Sequence, residues 1–478
     1  MLLSTPALAA TLLAGVARVD ITPPAGIPHM NWGAQTHVEA AGVDPVGMCA
    51  TALVLSDGRQ KFALVDIDTL SVGGLDEIRP RAAQATGIPV EHIRLAASHT
   101  HSGPALSPGK GPVGIDLKPF AARFAAYRRG MADKIVRAIV EANSRLAPAR
   151  VSGARGTGTI NINRRLRPAA GRPASVGTNP EGFVDRELLV ARLDDARGQP
   201  LAVLFNYPCH GTVLAWDNQR VSPDWIGMAR RVVEQALPGA MCLFFQGAAG
   251  NQGPVEGFSG DLAVAYRLGA VLGHQVAALA LQVETARREP RFEGFVESTA
   301  YIARQPWRET GARDATLKFV SWTLELPPRR YSPQEIEGMA KAASDAQAKV
   351  EAARAAGTPA EIHQAEARWR RCRDLLAQWK RPFDPAPVKV QVQILRLGEV
   401  AIVAMPGEPF AEIGAAVKKA PPFPVTMFCG YSSGLGGDYM PIASEYAFGG
   451  YEVERTPYGQ GAAEQLIRET IALLAQVE

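Results

Sequence analysis

Ala97-Ser98-His99-Thr100-His101-Ser102-Gly103-Pro104 is the stretch around which the chain is organised. The apolar run Ile93 to Ala97 leads into it and Gly103-Pro104 closes it. That is the pattern of a buried strand delivering a loop at a sheet edge. On an extended backbone, residues i and i+2 point to the same side, so His99 and His101 share a pocket while Thr100 faces away. Imidazole is the commonest side-chain metal ligand at neutral pH. Two histidines at this spacing also suit a purely structural role, so the decision rests on what else reaches this loop.

Outward from it, other apolar runs end in polar groups. Phe62 to Ile67, paired with Ala50 to Leu55 across Ser56-Asp57-Gly58-Arg59, ends in Asp66 and Asp68. These carboxylates suit a metal's surroundings or the capping of the next turn. Leu201 to Tyr207 pairs with Leu188 to Asp194 and runs into Pro208-Cys209-His210-Gly211. Val400 to Met405, paired with Val388 to Leu397, ends in Pro406-Gly407-Glu408-Pro409. Arg164 stands near the end of a glycine-containing strand, Val151 to Ile162. Met241 to Phe245 enters the glycine-rich loop Gln246 to Pro254, which lacks the Lys-Ser/Thr of a phosphate loop. Helical periodicity marks Leu75 to Thr86, Phe120 to Ser144, Leu262 to Leu281 and Gly461 to Val477. Residues 332–380, broken at Gly357-Thr358-Pro359, read as a helical hairpin insertion. The fold class expected is α/β: mixed sheets with flanking helices around a single metal-centred catalytic domain, residues 13–478, with no internal repeat.

Two histidines and a carboxylate with an open position are the usual composition of a hydrolytic zinc site. His210 alone would suit a satisfied core histidine. Glu408, set between Gly407 and Pro409 with no helix to cap, points to a specific role.

The remaining features bound the function. Net charge is +4 over 478 residues and no basic block with interleaved aromatics occurs, which argues against nucleic-acid binding. The five cysteines are scattered, without metal or disulfide spacing. Met1 to Gly15 is apolar, and Ala7-Leu8-Ala9 resembles a cleavage site, so residues 1–12 suit a signal remnant. Both a cytoplasmic and an exported location are compatible with this. No other stretch is read as long and apolar enough to span a bilayer.

These motifs together resemble the neutral/alkaline ceramidase family, in its N-terminal catalytic domain. The likeness covers nearly the whole chain: Val19-Asp20-Ile21-Thr22-Pro23, Ser98 to Pro104, Asn163-Arg164, Asn206 to His210, Ser222-Pro223-Asp224 and Pro406-Gly407-Glu408. The resemblance implies a Zn2+-dependent amidase acting on an N-acyl bond, with a small-molecule acyl-amide substrate and contact with lipid. It implies metal ligands His99, His210, Glu408 and a tyrosine, for which Glu445-Tyr446 fits best. It also places His101, Arg164 and Tyr458 in the pocket as polar catalytic groups, with His101 expected as general base or as orienter of the water and the other two as oxyanion donors. Where such ceramidases carry Gly-Asp-x-Ser-Pro-Asn, this chain has Gly250-Asn251-Gln252-Gly253-Pro254-Val255. Their C-terminal β-sandwich is expected to be absent. The expectation is therefore an amide other than ceramide, attacked by metal-activated water without an acyl-enzyme. An esterase or lactonase and a non-catalytic binding relative are the alternatives.

Overall fold

Three times along the chain the backbone repeats one order of elements: three antiparallel strands, a helix, a fourth strand parallel to the third, and a longer closing helix. The computed structural model describes residues 12–29, 32–104, 118–167 and 173–478. The stretch read as a signal remnant lies, apart from Leu12, outside the described residues. The first repeat has strands Leu13–Asp20, Cys49–Ser56 and Lys61–Ile67, helix Ile78–Thr86, strand Ile93–Ala97 and helix Ala121–Ser144. The second has strands Ala147–Thr157, Glu187–Asp195 and Pro200–Tyr207, helix Asp224–Ala236, strand Met241–Gln246 and helix Leu262–Gln282. The third has strands Leu317–Leu326, Val388–Leu397 and Val400–Ala404, helix Ala411–Lys418, strand Val425–Cys429 and helix Ala462–Leu474. The mixed α/β class expected from the sequence is thus realised, but as a triplicated topology that the sequence did not reveal.

Strand alternation explains the layering. In Cys49–Ser56, Leu53 and Leu55 face one way and Ala50, Ala52 and Val54 the other. The first set joins Leu204 and Leu243 of the second repeat and Ile402 and Met427 of the third in one shared core. The opposite faces pack on each repeat's own helices: Val54 with Ile135 and Ile139, Phe244 with Trp225 and Val276, Val403 with Ile413 and Leu466. Full burial of each such side chain contributes about 1.5–3 kcal/mol. Gly15 lets the helix Ala121–Ser144 close on the first strand, because a Cβ there would stand 2.2 Å from the Ala142 carbonyl oxygen.

The sheets of the first two repeats merge where Leu13 and Ala14 pair with Pro148 and Ala147. Helix Leu262–Gln282 is long and apolar enough to cross a bilayer, contrary to the sequence reading. Its Leu268, Leu272 and Val276, however, are buried against Trp225 and Phe244. The helical pair Pro333–Ala356 and Pro359–Trp379 lies between the first and second strands of the third repeat. Capping boxes, Ser332 with Glu335 and Thr358 with Glu361, start both helices.

Candidate metal and hydrolytic site

The three repeats present the ends of their third and fourth strands to one another. Ala97 N–H donates to the Tyr431 carbonyl (3.0 Å), and Gly430 N–H to that of Gln246 (3.1 Å). His99 follows Ala97, His210 follows Tyr207, Glu408 follows Ala404 and Tyr431 follows Cys429, so each group is delivered by a buried strand. The backbone turns left-handed at His99, φ 62°, so the strand ends before it. His99 and His101 still meet, with ring centroids 4.9 Å apart, while Thr100 faces away and donates to the Ser222 carbonyl.

The side chains then converge. His210 Nε2 lies 3.2 Å and His99 Nε2 3.6 Å from the same Glu408 oxygen, Oε2. His101 Nε2 is 3.3 Å from His99 Nε2. The potential ligand atoms of His99, His101 and His210 all lie within 4.8 Å of one another. His99 Nδ1 bonds the Leu70 carbonyl at 2.6 Å. His210 Nδ1 faces those of Ala249 at 2.8 Å and Gln252 at 3.1 Å. A carbonyl can only accept, so both imidazoles carry their proton on Nδ1 and turn an Nε2 lone pair toward Glu408. Two lone pairs around an anionic oxygen repel unless a cation or proton lies between them. The donor set therefore fits a divalent metal. His101 differs, because its Nδ1 is buried without a hydrogen-bond partner. Ligating histidines almost always have the other nitrogen fixed by an acceptor; His99 and His210 meet that condition and His101 does not.

Electrostatics agree. Burial pushes His210 down to about 3, with Arg164 and His99 adding to the effect. Burial also lowers His99 and His101. Burial alone would raise Glu408, but His99, His210 and Arg164 outweigh it and hold the carboxyl well below its ordinary range. Neutral imidazoles and an ionised carboxylate are the protonation states that metal ligation requires.

Arg164 Nε donates to Glu452 Oε1 at 3.0 Å and its Nη2 to the Tyr439 hydroxyl at 3.1 Å. Tyr439 sits on a short strand paired directly with Glu408, and Glu408 N–H donates to the Asp438 carbonyl. Gly407, φ 82°, makes this approach possible, since a Cβ there would lie 2.6 Å from the Asp438 oxygen.

The structure thus brings together His99, His101, His210, Glu408 and Arg164, and leaves two tyrosines outside. The Tyr446 hydroxyl donates to the Tyr458 carbonyl at 2.8 Å, and its ring lines a separate cavity with Arg329 and Trp379. Tyr458 donates to the Gly437 carbonyl at 2.8 Å and so supports a wall of the site from behind. The phenols at the cluster are Tyr431 and Tyr439. A C-terminal stretch with several tyrosines gives no sequence pattern that separates them from Tyr446. Asp66 and Asp68 neither face the site nor cap a turn; both pair with buried Arg230. The glycine-rich loop after Gln246 supplies the carbonyls that orient His210.

The cluster opens into a cavity of about 520 Å³, lined by His99, His101, Glu408, Tyr431 and Tyr439, with Asp76, Arg79, Asp438 and Arg455 also on its walls. Such a pocket, with neutral bases, a carboxylate and a cation at converging strand ends, is suited to a hydrolase.

Residues 12–260 match the model of the N-terminal part of neutral/alkaline non-lysosomal ceramidase. The neutral ceramidase of Pseudomonas aeruginosa is 24% identical, over 97% of this chain and 72% of its own length. Neutral ceramidase A of Dictyostelium discoideum is 29% identical over 35% of this chain and 24% of its own. The crystal structure of the Pseudomonas aeruginosa neutral ceramidase superposes with a TM-score of 0.64 at 19% identity, covering 98% of this chain and 75% of that one. The chain belongs to the neutral/alkaline non-lysosomal ceramidase family, whose members are amide hydrolases.

Proposed function

We propose that the protein is a zinc-dependent hydrolase that cleaves a linear N-acyl amide other than ceramide, using water as nucleophile. The observation that carries this reading is the pair of Nε2 lone pairs, from His99 and His210, turned on one Glu408 oxygen. His99, His210 and Glu408 would hold the metal, with Tyr439 rather than Tyr446 as the neighbouring phenol. Zinc held there would supply a Lewis acid for the amide carbonyl and would bring the pKa of water toward neutrality.

The chain's own groups supply the rest. Neutral His101, with no acceptor fixing its ring, takes the proton of the attacking water and returns it to the leaving amine. Arg164 keeps its charge: burial works against it, but Tyr439, Glu452 and Glu408 outweigh that. Together with the Tyr439 hydroxyl it faces the developing oxyanion, where removing one donor costs roughly 3–4 kcal/mol. Among the described residues no serine hydroxyl bonds His101, which supports direct attack by water.

The cavity bears on the substrate. Asp76, Arg79, Asp438 and Arg455 set charge where two long alkyl chains would need apolar walls. A Cβ on Gly253 would meet only the aliphatic stem of Arg164, at 3.5 Å, so there is room beside that stem. Both features favour a compact, polar acyl amide. Zinc-loaded protein assayed on a panel of N-acyl amides, esters and ceramide tests the reading. Turnover of a polar amide well above ceramide is expected; ceramide as the best substrate, or esters alone, would overturn it.

A further inference from the structure

We propose that Tyr431 is a positioning residue that fixes Glu408 against His99. The inference rests on the metal reading above and adds a residue to it.

Tyr431 holds the two loops through both its backbone and its side chain. Its N–H donates to the Gly407 carbonyl at 2.9 Å, immediately before Glu408. Its carbonyl accepts from Ala97 N–H at 3.0 Å, two residues before His99. One residue therefore ties the end of the third repeat's third strand to the end of the first repeat's fourth. The side chain follows the same line. The ring lies on His99 with centroids 4.3 Å apart, and the hydroxyl stands 3.4 Å from Glu408 Oε2. That is the carboxylate oxygen both imidazoles face.

Topology and strain argue in the same direction. Tyr431 stands two residues past the fourth strand of its repeat, the position His99 holds in the first. Both residues have left-handed backbones, φ 55° and 62°. That conformation is unfavourable for a bulky aromatic residue and persists where the surroundings over-determine it. A glycine would fold there without strain, so a tyrosine at this place is explained by what its side chain does.

The test uses the full-length protein and zinc alone as probe. Y431F removes only the hydroxyl; Y431G removes the side chain and relieves the backbone. Zinc affinity is measured by competition with a chromogenic chelator, and melting curves are recorded on the metal-free proteins. Y431F should melt within about 2 °C of wild type. It should bind zinc roughly 10–100-fold more weakly, the usual loss when the partner of a metal-ligating group is removed. Y431G should bind at least as weakly although its backbone is relaxed. Wild-type affinity in either variant overturns the role of Tyr431 and leaves the metal site standing. Failure of the wild-type protein to bind zinc overturns both.

Discussion

His210 Nε2 and Glu408 Oε2 lie 3.2 Å apart, although the two residues come from the second and third repeats. Nothing local in either segment fixes that distance. It follows from the meeting of three sheets on one core, which brings their strand ends together. Carbonyls of the loop after Met241–Gln246 then aim the imidazole.

The asymmetry between His99 and His101 can be measured. His99, locked by Leu70, should be needed to hold metal, so H99A loses zinc and turnover together. His101, with a free Nδ1, should matter for proton transfer, so H101A keeps most of its zinc and loses roughly 10²–10⁴-fold in turnover. Metal analysis and kinetics on the two purified variants decide; the reverse pattern would interchange the roles.

Burial of His210 predicts a pH dependence. Its folded pKa, about 3, lies below the unfolded value of about 6.5. As pH falls the unfolded chain takes up the proton first, so this contribution is complete above about pH 6.5 and is lost as pH falls toward 3. In metal-free protein, H210N should flatten the stability profile by about 1.4 kcal/mol per pH unit between about pH 6 and 4. Denaturant melts at several pH values measure it. Parallel profiles for wild type and variant would show that the imidazole is not held neutral.

Arg164 and its two partners give a third test. Tyr439 touches the guanidinium, whereas Tyr446 bonds main-chain carbonyls away from it. Y439F should lower kcat roughly 10²-fold, the scale of one lost oxyanion donor. Y446F should cost far less. E452Q, which keeps the shape and removes the charge beside Arg164, should lower kcat with little change in KM. If Y446F proves the more damaging, the phenol assignment fails.

Gly253 tests the nucleophile. There is room for a side chain, since the nearest contact is Arg164 at 3.5 Å, so G253S should fold with a melting temperature within about 2 °C of wild type. In the native protein, hydroxylamine should trap no acyl group and pre-steady-state traces should show no burst of amine. A burst would point to a covalent intermediate and contradict direct attack by water.

Much of the site was legible in the sequence because strand ends are. An apolar run that stops at His99-Thr100-His101, His210 or Gly407-Glu408 marks where a buried strand meets a pocket. The helices and hairpins followed from period and turn residues, down to the break at Gly357-Thr358-Pro359. The tyrosines did not follow. Tyr431 and Tyr439 reach the cluster through left-handed backbone at Tyr431 and Asp438 and positive-φ glycines at Gly434, Gly436 and Gly437, where neither periodicity applies and side-chain direction cannot be read. Asp66 and Asp68 were ambiguous because their partner, Arg230, lies on a helix far along the chain. The threefold repetition was hidden for a related reason. A topology constrains which positions are apolar and where turns fall, and it leaves residue identity free.

His99, His210 and Glu408 are proposed to hold a metal on which amide hydrolysis depends. The direct measurement is elemental analysis and amide turnover on the same protein before chelation, after it, and after zinc is restored. The expected result is about one zinc per chain, loss of metal and turnover together on chelation, and recovery of both on adding zinc. Full turnover in metal-free protein would contradict it.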